Sequence, residues 1–180
     1  MDCVEGEIHI DFTKATSYRK LDEQRSGIPP GMSLVDCFVE EEDRFLFVEI
    51  KDPSCEPKSS TPKAKEAVAR NRERFFCDTK SEDIINNHLV PKARDSYTYI
   101  HLMSIDSKEI IYVFLIGEGA REIDKKLLVS FKDRLLSRIR HEADIPWKRH
   151  YVKDCVVLTE KSWKTVFPEY PITRRDRSVP

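Results

Sequence analysis

Long apolar segments are what this 180-residue sequence most plainly lacks. Its longest apolar run, at 110–116, is far shorter than the roughly 20 residues that a membrane-spanning helix needs. The first residues form neither a basic stretch nor an apolar segment of the secretory kind, so we expect no signal sequence. These absences favour a cytoplasmic protein without a membrane partner.

Familiar metal, nucleotide and hydrolase motifs are missing as well. The five cysteines never take the C-x-x-C spacing of a zinc site, and their odd number argues against a disulfide framework. The five histidines show no metal-ligand spacing, and neither a G-x-x-x-x-G-K-[ST] loop nor a G-x-S-x-G elbow occurs. Zinc proteins, P-loop NTPases and serine hydrolases are therefore disfavoured.

The net charge is only −1, but it is unevenly distributed. Residues 1–61 contain 7 Lys and Arg against 14 Asp and Glu, whereas residues 147–180 contain 8 against 4. A near-neutral chain is no obvious sequence-independent nucleic-acid binder, because neutralising phosphates needs clustered cations. The acidic first third fits a divalent-cation site or a solvated acidic surface, and charge alone favours the surface.

The order of the predicted elements indicates one α/β domain over residues 1–180. Patterns typical of strands occur at 6–12, 33–40, 45–51, 98–105, 109–116 and 151–158. Patterns typical of helices occur at 14–25, 61–76, from about 81 onward and at 121–142. We therefore expect a mixed central β-sheet flanked by helices, followed by a flexible tail at about 171–180.

The hairpin at 33–51 is the most informative segment, because its second strand ends in charged residues. Period-2 alternation places Glu49 and Lys51 on one face of that strand. A turn centred on 42–43 pairs residues whose numbers sum to 85, so Asp36 faces Glu49. Opposed Cβ atoms lie about 4.5–5.5 Å apart. Two carboxylates at that separation repel each other unless a cation lies between them.

A hard divalent cation such as Mg²⁺ would turn this repulsion into attraction, since it prefers carboxylate oxygens. Lys51 would then orient or deprotonate a water, or stabilise charge developing on a phosphate. Phosphodiester hydrolysis requires this combination of metal, water and nearby cation. The alternative is purely structural: an interstrand salt bridge between Asp36 and Lys51, with Glu49 beside it at the strand end.

The spacing of Asp36 and, after twelve intervening residues, Glu49-Ile50-Lys51 resembles the core hairpin of the PD-(D/E)XK (restriction-endonuclease-like) nuclease superfamily. The succeeding helix and strands suit the family core as well, over about residues 14–116. The resemblance implies a restriction-endonuclease-like core, Mg²⁺ (or Mn²⁺) ligated by Asp36 and Glu49, and Lys51 as the catalytic lysine. Val35 precedes the aspartate in place of the family's proline, a departure that leaves the chemistry unaffected.

An acidic residue on the helix before the hairpin often completes such a site. Glu23 is the candidate for this catalytic position, with Asp22 as its substitute.

Basic residues outside the hairpin are candidates for nucleic-acid binding through phosphate contacts. They are Lys63, Arg70, Arg74, Lys148 and Arg149. The first three share a predicted helix with glutamates, so a solvated, salt-bridged face is about equally consistent with them. Beside the last two, Trp147 either stacks on a base or, as we favour, caps the core.

Two functional hypotheses follow. The first is a metal-dependent nuclease that hydrolyses phosphodiester bonds in DNA rather than RNA, in a setting such as bacterial defence or DNA processing that the resemblance suggests. The second is a catalytically inactive nuclease-fold subunit that binds a partner protein or nucleic acid. The weak basic character and the small size, which leaves little room for a specificity module, favour the second hypothesis somewhat. A partner protein that supplies specificity and a homodimer are both compatible with the fold.

Overall fold

The computed structural model of the chain describes residues 2–22, 28–55, 61–118, 123–143 and 147–175. Its strands are β1 Asp2–Glu5, β2 Ile8–Asp11, β3 Ser17–Lys20, β4 Cys37–Glu40, β5 Arg44–Lys51, β6 Glu109–Ile116, β7 Asp154–Thr159 and β8 Ile172–Arg174. Its helices are α1 Pro62–Lys80, α2 Val90–Leu102, α3 Lys125–Arg140 and α4 Glu160–Val166. A short π-helical segment, Ile85–Leu89, leads directly into α2.

The central sheet is mixed and has the strand order β3-β4-β5-β6-β7. Its first three strands are antiparallel neighbours, whereas β5, β6 and β7 run parallel to one another. A smaller antiparallel sheet has the order β1-β2-β8. The expected α/β class, with a mixed central sheet flanked by helices, is confirmed. The small second sheet was not predicted.

Both faces of the central sheet are buried, and the alternation along β5 shows how. Phe45 and Phe47 join the core cluster formed with α2 and α3. Leu46 and Val48 join the opposite cluster, formed with the small sheet and α4. A strand buried on both faces reads as a nearly continuous apolar run, so a carboxylate at Glu49 interrupts the pattern.

Two predicted elements were wrong, because tertiary contacts overrode local pattern. The stretch expected as a helix at 14–25 contains β3, whose backbone pairs with β4 while Tyr18 stacks on Phe12 at a ring separation of 5.3 Å. The stretch expected as a strand at 98–105 lies mostly in α2. Its β-favouring residues are outweighed by helical spacing, which buries Ala93 and Ile100 on one face.

The other predicted elements were confirmed with shifted ends. Thr61 caps α1 and Pro62 occupies its first turn, as the sequence indicated. The predicted stripe of α3 buries Phe131 and Leu135. The structure contains no helix, over its described residues, with the length and apolar character needed to cross a bilayer.

The C-terminal residues that the structure describes include a strand that was not predicted. The expected flexible tail from about 171 contributes β8, which pairs with β2, and residues 176–180 of that tail lie outside the described residues. Helix α4 was not predicted. A disulfide joins Cys3 of β1 to Cys37 of β4, which the cysteine count had argued against.

Candidate active site

The β4–β5 hairpin has the predicted register. Phe38 pairs with Phe47, and Cys37 pairs with Val48, so paired numbers sum to 85. The ladder ends there, one residue short of Asp36. Beyond the end of the ladder, the Asp36 carboxylate accepts a hydrogen bond from the Ile50 backbone N–H at 2.7 Å. This bond fixes the Asp36 side chain beside Glu49.

The two carboxylates are removed from solvent. Asp36 is 3% exposed and Glu49 is fully buried. Burial, and secondly the negative charge of Asp36, raises the pKa of Glu49 above its usual value. Burying two like charges together is costly unless cations compensate them.

Two lysines supply that compensation. Lys51, at the end of β5, places its Nζ atom 2.6 Å from Glu49 Oε1, and its side chain is 37% exposed. Lys92, on α2, places its Nζ atom 2.8 and 2.7 Å from the two Glu49 carboxylate oxygens and 3.2 Å from Asp36 Oδ1. We call Asp36, Glu49, Lys51 and Lys92 the lysine cluster.

Lys92 was not among the candidates from sequence; it precedes the stretch at 98–105 that was expected as a strand. The helical spacing of apolar residues in α2 was a partial signal, because it predicts a helix there, but it does not show which face of the sheet that helix packs on. Burial lowers the pKa of Lys92, but Glu49 and Asp36 more than offset this effect, so its pKa lies above the usual value. The side chain is therefore an ammonium ion.

Further carboxylates lie within electrostatic range of the cluster. The pKa of Glu5, on β1, is raised by its partial burial and then by the charges of Asp36 and Asp22. Sequence reasoning named Asp22 only as a substitute and did not name Glu5. The preferred candidate, Glu23, lies outside the described residues.

A cavity of about 600 Å³ adjoins the cluster. Asp22, Lys92 and the chain at 28–34 line it. Lys92 lines the cavity and contacts both buried carboxylates. A ligand in the cavity would therefore contact the Lys92 ammonium before it contacted Asp36 or Glu49.

The donor set fits a hard divalent cation. Carboxylate oxygens are its preferred ligands, and the positions of the two ammonium groups show that the acidic pair attracts cations. Within the part of the chain that the structure describes, no group of three or more Asp, Glu, His or Cys side chains is arranged to hold a metal ion. Asp36 and Glu49 are the carboxylates of the lysine cluster that could hold one.

The basic residues predicted to bind nucleic acid do not join the cluster. On α1, Lys63, Arg70 and Arg74 are exposed, and the two arginines are nearest to acidic residues one turn away: Arg70 lies 3.9 Å from Glu66, and Arg74 lies 3.7 Å from Asp78. This geometry matches the alternative of a solvated, salt-bridged face.

Lys148 and Arg149 lie at the other end of the sheet. They precede β7, whose first residues pair with the start of β6 rather than with its carboxyl end. An eight-residue strand such as β5 separates the two ends by about 23 Å. Trp147 is 46% exposed, so the expectation that it caps the core was wrong.

A second ionic cluster lies close to the first, at the carboxyl end of β5. The Arg174 guanidinium binds both Asp52 carboxylate oxygens at 3.1 Å, Glu7 at 3.0 Å, and Glu160. We call these four residues the arginine cluster. Gly117 leaves room for it, since a Cβ atom there would lie 2.4 Å from Asp52 Oδ1.

Comparison of the chain with protein-family models, curated proteins and solved structures finds no match. Functional inference for this chain therefore depends on the geometry of the site and on the resemblance of its hairpin.

Proposed function

We propose that this chain is a metal-dependent nuclease that hydrolyses phosphodiester bonds in DNA, with a restriction-endonuclease-like core. One observation carries the proposal: the buried carboxylates of Asp36, directly before β4, and Glu49, in β5, meet beside Lys51, and Lys92, which contacts both, lines a cavity. The choice of DNA over RNA, and a setting in bacterial defence or DNA processing, rests on the resemblance of the hairpin alone.

The sheet supports the same proposal. After the hairpin, the chain passes through α1 and α2 and adds β6 parallel to β5, so a helical connection and one of the two expected further strands follow the hairpin, whereas the other, at 98–105, is mostly helical.

Each side chain of the site would have its own role in hydrolysis. Asp36 is held by the Ile50 N–H and Glu49 by burial, so both carboxylates are fixed before a ligand binds. When bound, a divalent cation would supply Lewis-acid polarisation of the phosphodiester. Lys51, part-exposed and hydrogen-bonded to Glu49, would stabilise the negative charge that develops on the phosphate.

A second candidate function, a catalytically inactive nuclease-fold subunit, is favoured by one observation. The two lysines already balance the two carboxylates, so the cluster is neutral without any metal. In that case the hairpin would be a structural ion-pair site, and a partner protein or nucleic acid would bind elsewhere.

Cleavage of duplex DNA, single-stranded DNA and RNA, each with Mg²⁺ and with Mn²⁺, tests the proposal. We expect cleavage of DNA that Lys51→Ala lowers by about a hundredfold or more while the protein stays folded. Lys108→Ala is the matched control, because Lys108 is also bonded to a carboxylate, Glu40, but at the opposite end of the sheet.

Two results would contradict the nuclease. Equal cleavage by wild type and Lys51→Ala would remove Lys51 from the mechanism and point to a contaminating activity. No cleavage of any substrate with either metal would leave the inactive subunit as the better account.

A further inference from the structure

Lys92 occupies the carboxylate oxygens that a metal ion would need. Its Nζ atom contacts both oxygens of Glu49 and Oδ1 of Asp36 within 3.2 Å. The remaining oxygen, Asp36 Oδ2, accepts the Ile50 N–H. The acidic pair is therefore fully engaged by groups of the chain itself, and its metal-facing side is covered by one ammonium ion.

A divalent cation and the Lys92 ammonium exclude each other from this position. Mg²⁺ binds oxygen at about 2.0–2.1 Å, whereas the ammonium lies 2.7–2.8 Å from the Glu49 oxygens. Two cations sharing those oxygens would be only a few ångströms apart, in a buried setting where like charges repel strongly. Metal binding therefore requires Lys92 to leave.

The Lys92 side chain has room to move away from the carboxylates. It lines the cavity of about 600 Å³ beside the cluster, and lysine has a long, flexible stem. Lys51 need not move in the same way, because its described contact with the acidic pair is to Glu49 Oε1 and it comes from the strand rather than from the cavity side.

We propose that Lys92 is a built-in counter-ion that exchanges with the divalent cation, so that metal binding releases its ammonium group into the adjoining cavity. This inference rests on the proposed metal site. It makes Lys92 a residue that opposes metal uptake.

Direct measurement of Mn²⁺ binding tests the exchange without any cleavage assay. Calorimetric titration of Lys92→Met, which keeps the stem but removes the charge, should give an affinity about tenfold or more above wild type, because no ammonium has to be displaced. Lys108→Met, which removes a comparable lysine from Glu40, should bind Mn²⁺ like wild type. Glu49→Gln in the Lys92→Met background should abolish binding.

Accessibility of the lysine itself supplies a second readout. Brief treatment of the wild-type protein with an amine-acylating reagent, followed by mass spectrometry of peptides, should show faster modification of Lys92 when Mn²⁺ is added. Lys108 should react at an unchanged rate. If Lys92→Met fails to fold, Lys92→Gln and this labelling experiment test the same exchange.

The outcomes separate this inference from the nuclease proposal. Mn²⁺ affinity in the Lys92 variants that is equal to or weaker than wild type would overturn the exchange, and so would Lys92 labelling that ignores Mn²⁺. Tighter binding in the variants together with an absence of cleavage by the wild type would support the exchange and contradict the nuclease.

Discussion

The lysine cluster and the arginine cluster lie near each other at the carboxyl end of β5, yet they neutralise buried carboxylates in different ways. In the arginine cluster one planar guanidinium holds Asp52 through two parallel hydrogen bonds and reaches Glu7 and Glu160 at the same time. In the lysine cluster two separate ammonium groups serve Asp36 and Glu49.

This difference indicates which cluster can exchange its cation for another. The fork of an arginine matches a carboxylate in direction as well as charge, so a replacement ion would lose specific geometry. A lysine is a point charge on a flexible stem, and another cation can stand in for it. Of the two clusters, the lysine cluster also borders a cavity through Lys92. We therefore interpret the arginine cluster as structural and the lysine cluster as functional.

The largest expected effect is loss of the arginine. Arg174→Met should lower the free energy of unfolding by about 3 kcal/mol or more, because it leaves buried carboxylates without their cation and releases β8 from its anchor. Urea denaturation measures this change. Arg175→Met, at the exposed neighbouring position, is the control and should change stability little. A small effect at Arg174 would break the structural interpretation.

A smaller loss of stability is expected from Lys92→Met in a metal-free buffer with EDTA. The free energy of unfolding should fall by about 2 kcal/mol, since Lys51 remains and Glu49 can take up a proton. Mn²⁺ should raise the melting temperature of this variant, by binding the folded state, but should leave the deficit of Arg174→Met in place. A Mn²⁺-induced rescue of both variants would contradict the contrast between the clusters.

The smallest expected effect belongs to Glu40, at the opposite end of the sheet. Hydrogen bonds from Lys108, and secondly from Ser17, hold the pKa of Glu40 below its ordinary 4.5. The unfolded chain therefore takes up its proton first as the pH falls, and the stability that Glu40 contributes is present above pH 4.5 and lost below it. This contribution is at most about 1 kcal/mol for such a part-exposed pair.

Thermal unfolding of Glu40→Gln beside wild type checks this sign. The difference in melting temperature should shrink as the pH is lowered through and below 4.5. Glu42→Gln, at an exposed position in the adjoining turn, controls for the loss of one surface charge. A difference that grows toward acid pH would show that the pair acts in the opposite direction.

The hairpin could be predicted from sequence because every signal for it is local. Alternation, turn length and register depend on residues 33–51 alone, and together they brought Asp36 beside Glu49. The helices with a cap or a long apolar stripe, α1 and α3, were equally accessible for the same reason.

What sequence reasoning missed depends on contacts between distant segments. Ser17–Lys20 becomes a strand because the edge of β4 offers it hydrogen-bonding partners. Lys92 enters the site because α2 packs across the sheet, 43 residues after Glu49. Arg174 is held by carboxylates from three distant segments of the chain. No local pattern carries such information, since each segment has a reasonable alternative by itself.

The register of the hairpin has a consequence for how its turn can vary. A change of one residue in the length of the 41–43 connection would rotate β5 relative to β4, sending Glu49 toward the apolar layer of the small sheet and Leu46 or Val48 toward the helices. Substitutions within the connection preserve the pairing. The connection should therefore tolerate substitutions. Insertions and deletions there, by contrast, would separate Asp36 from Glu49 and disrupt the packing of the core.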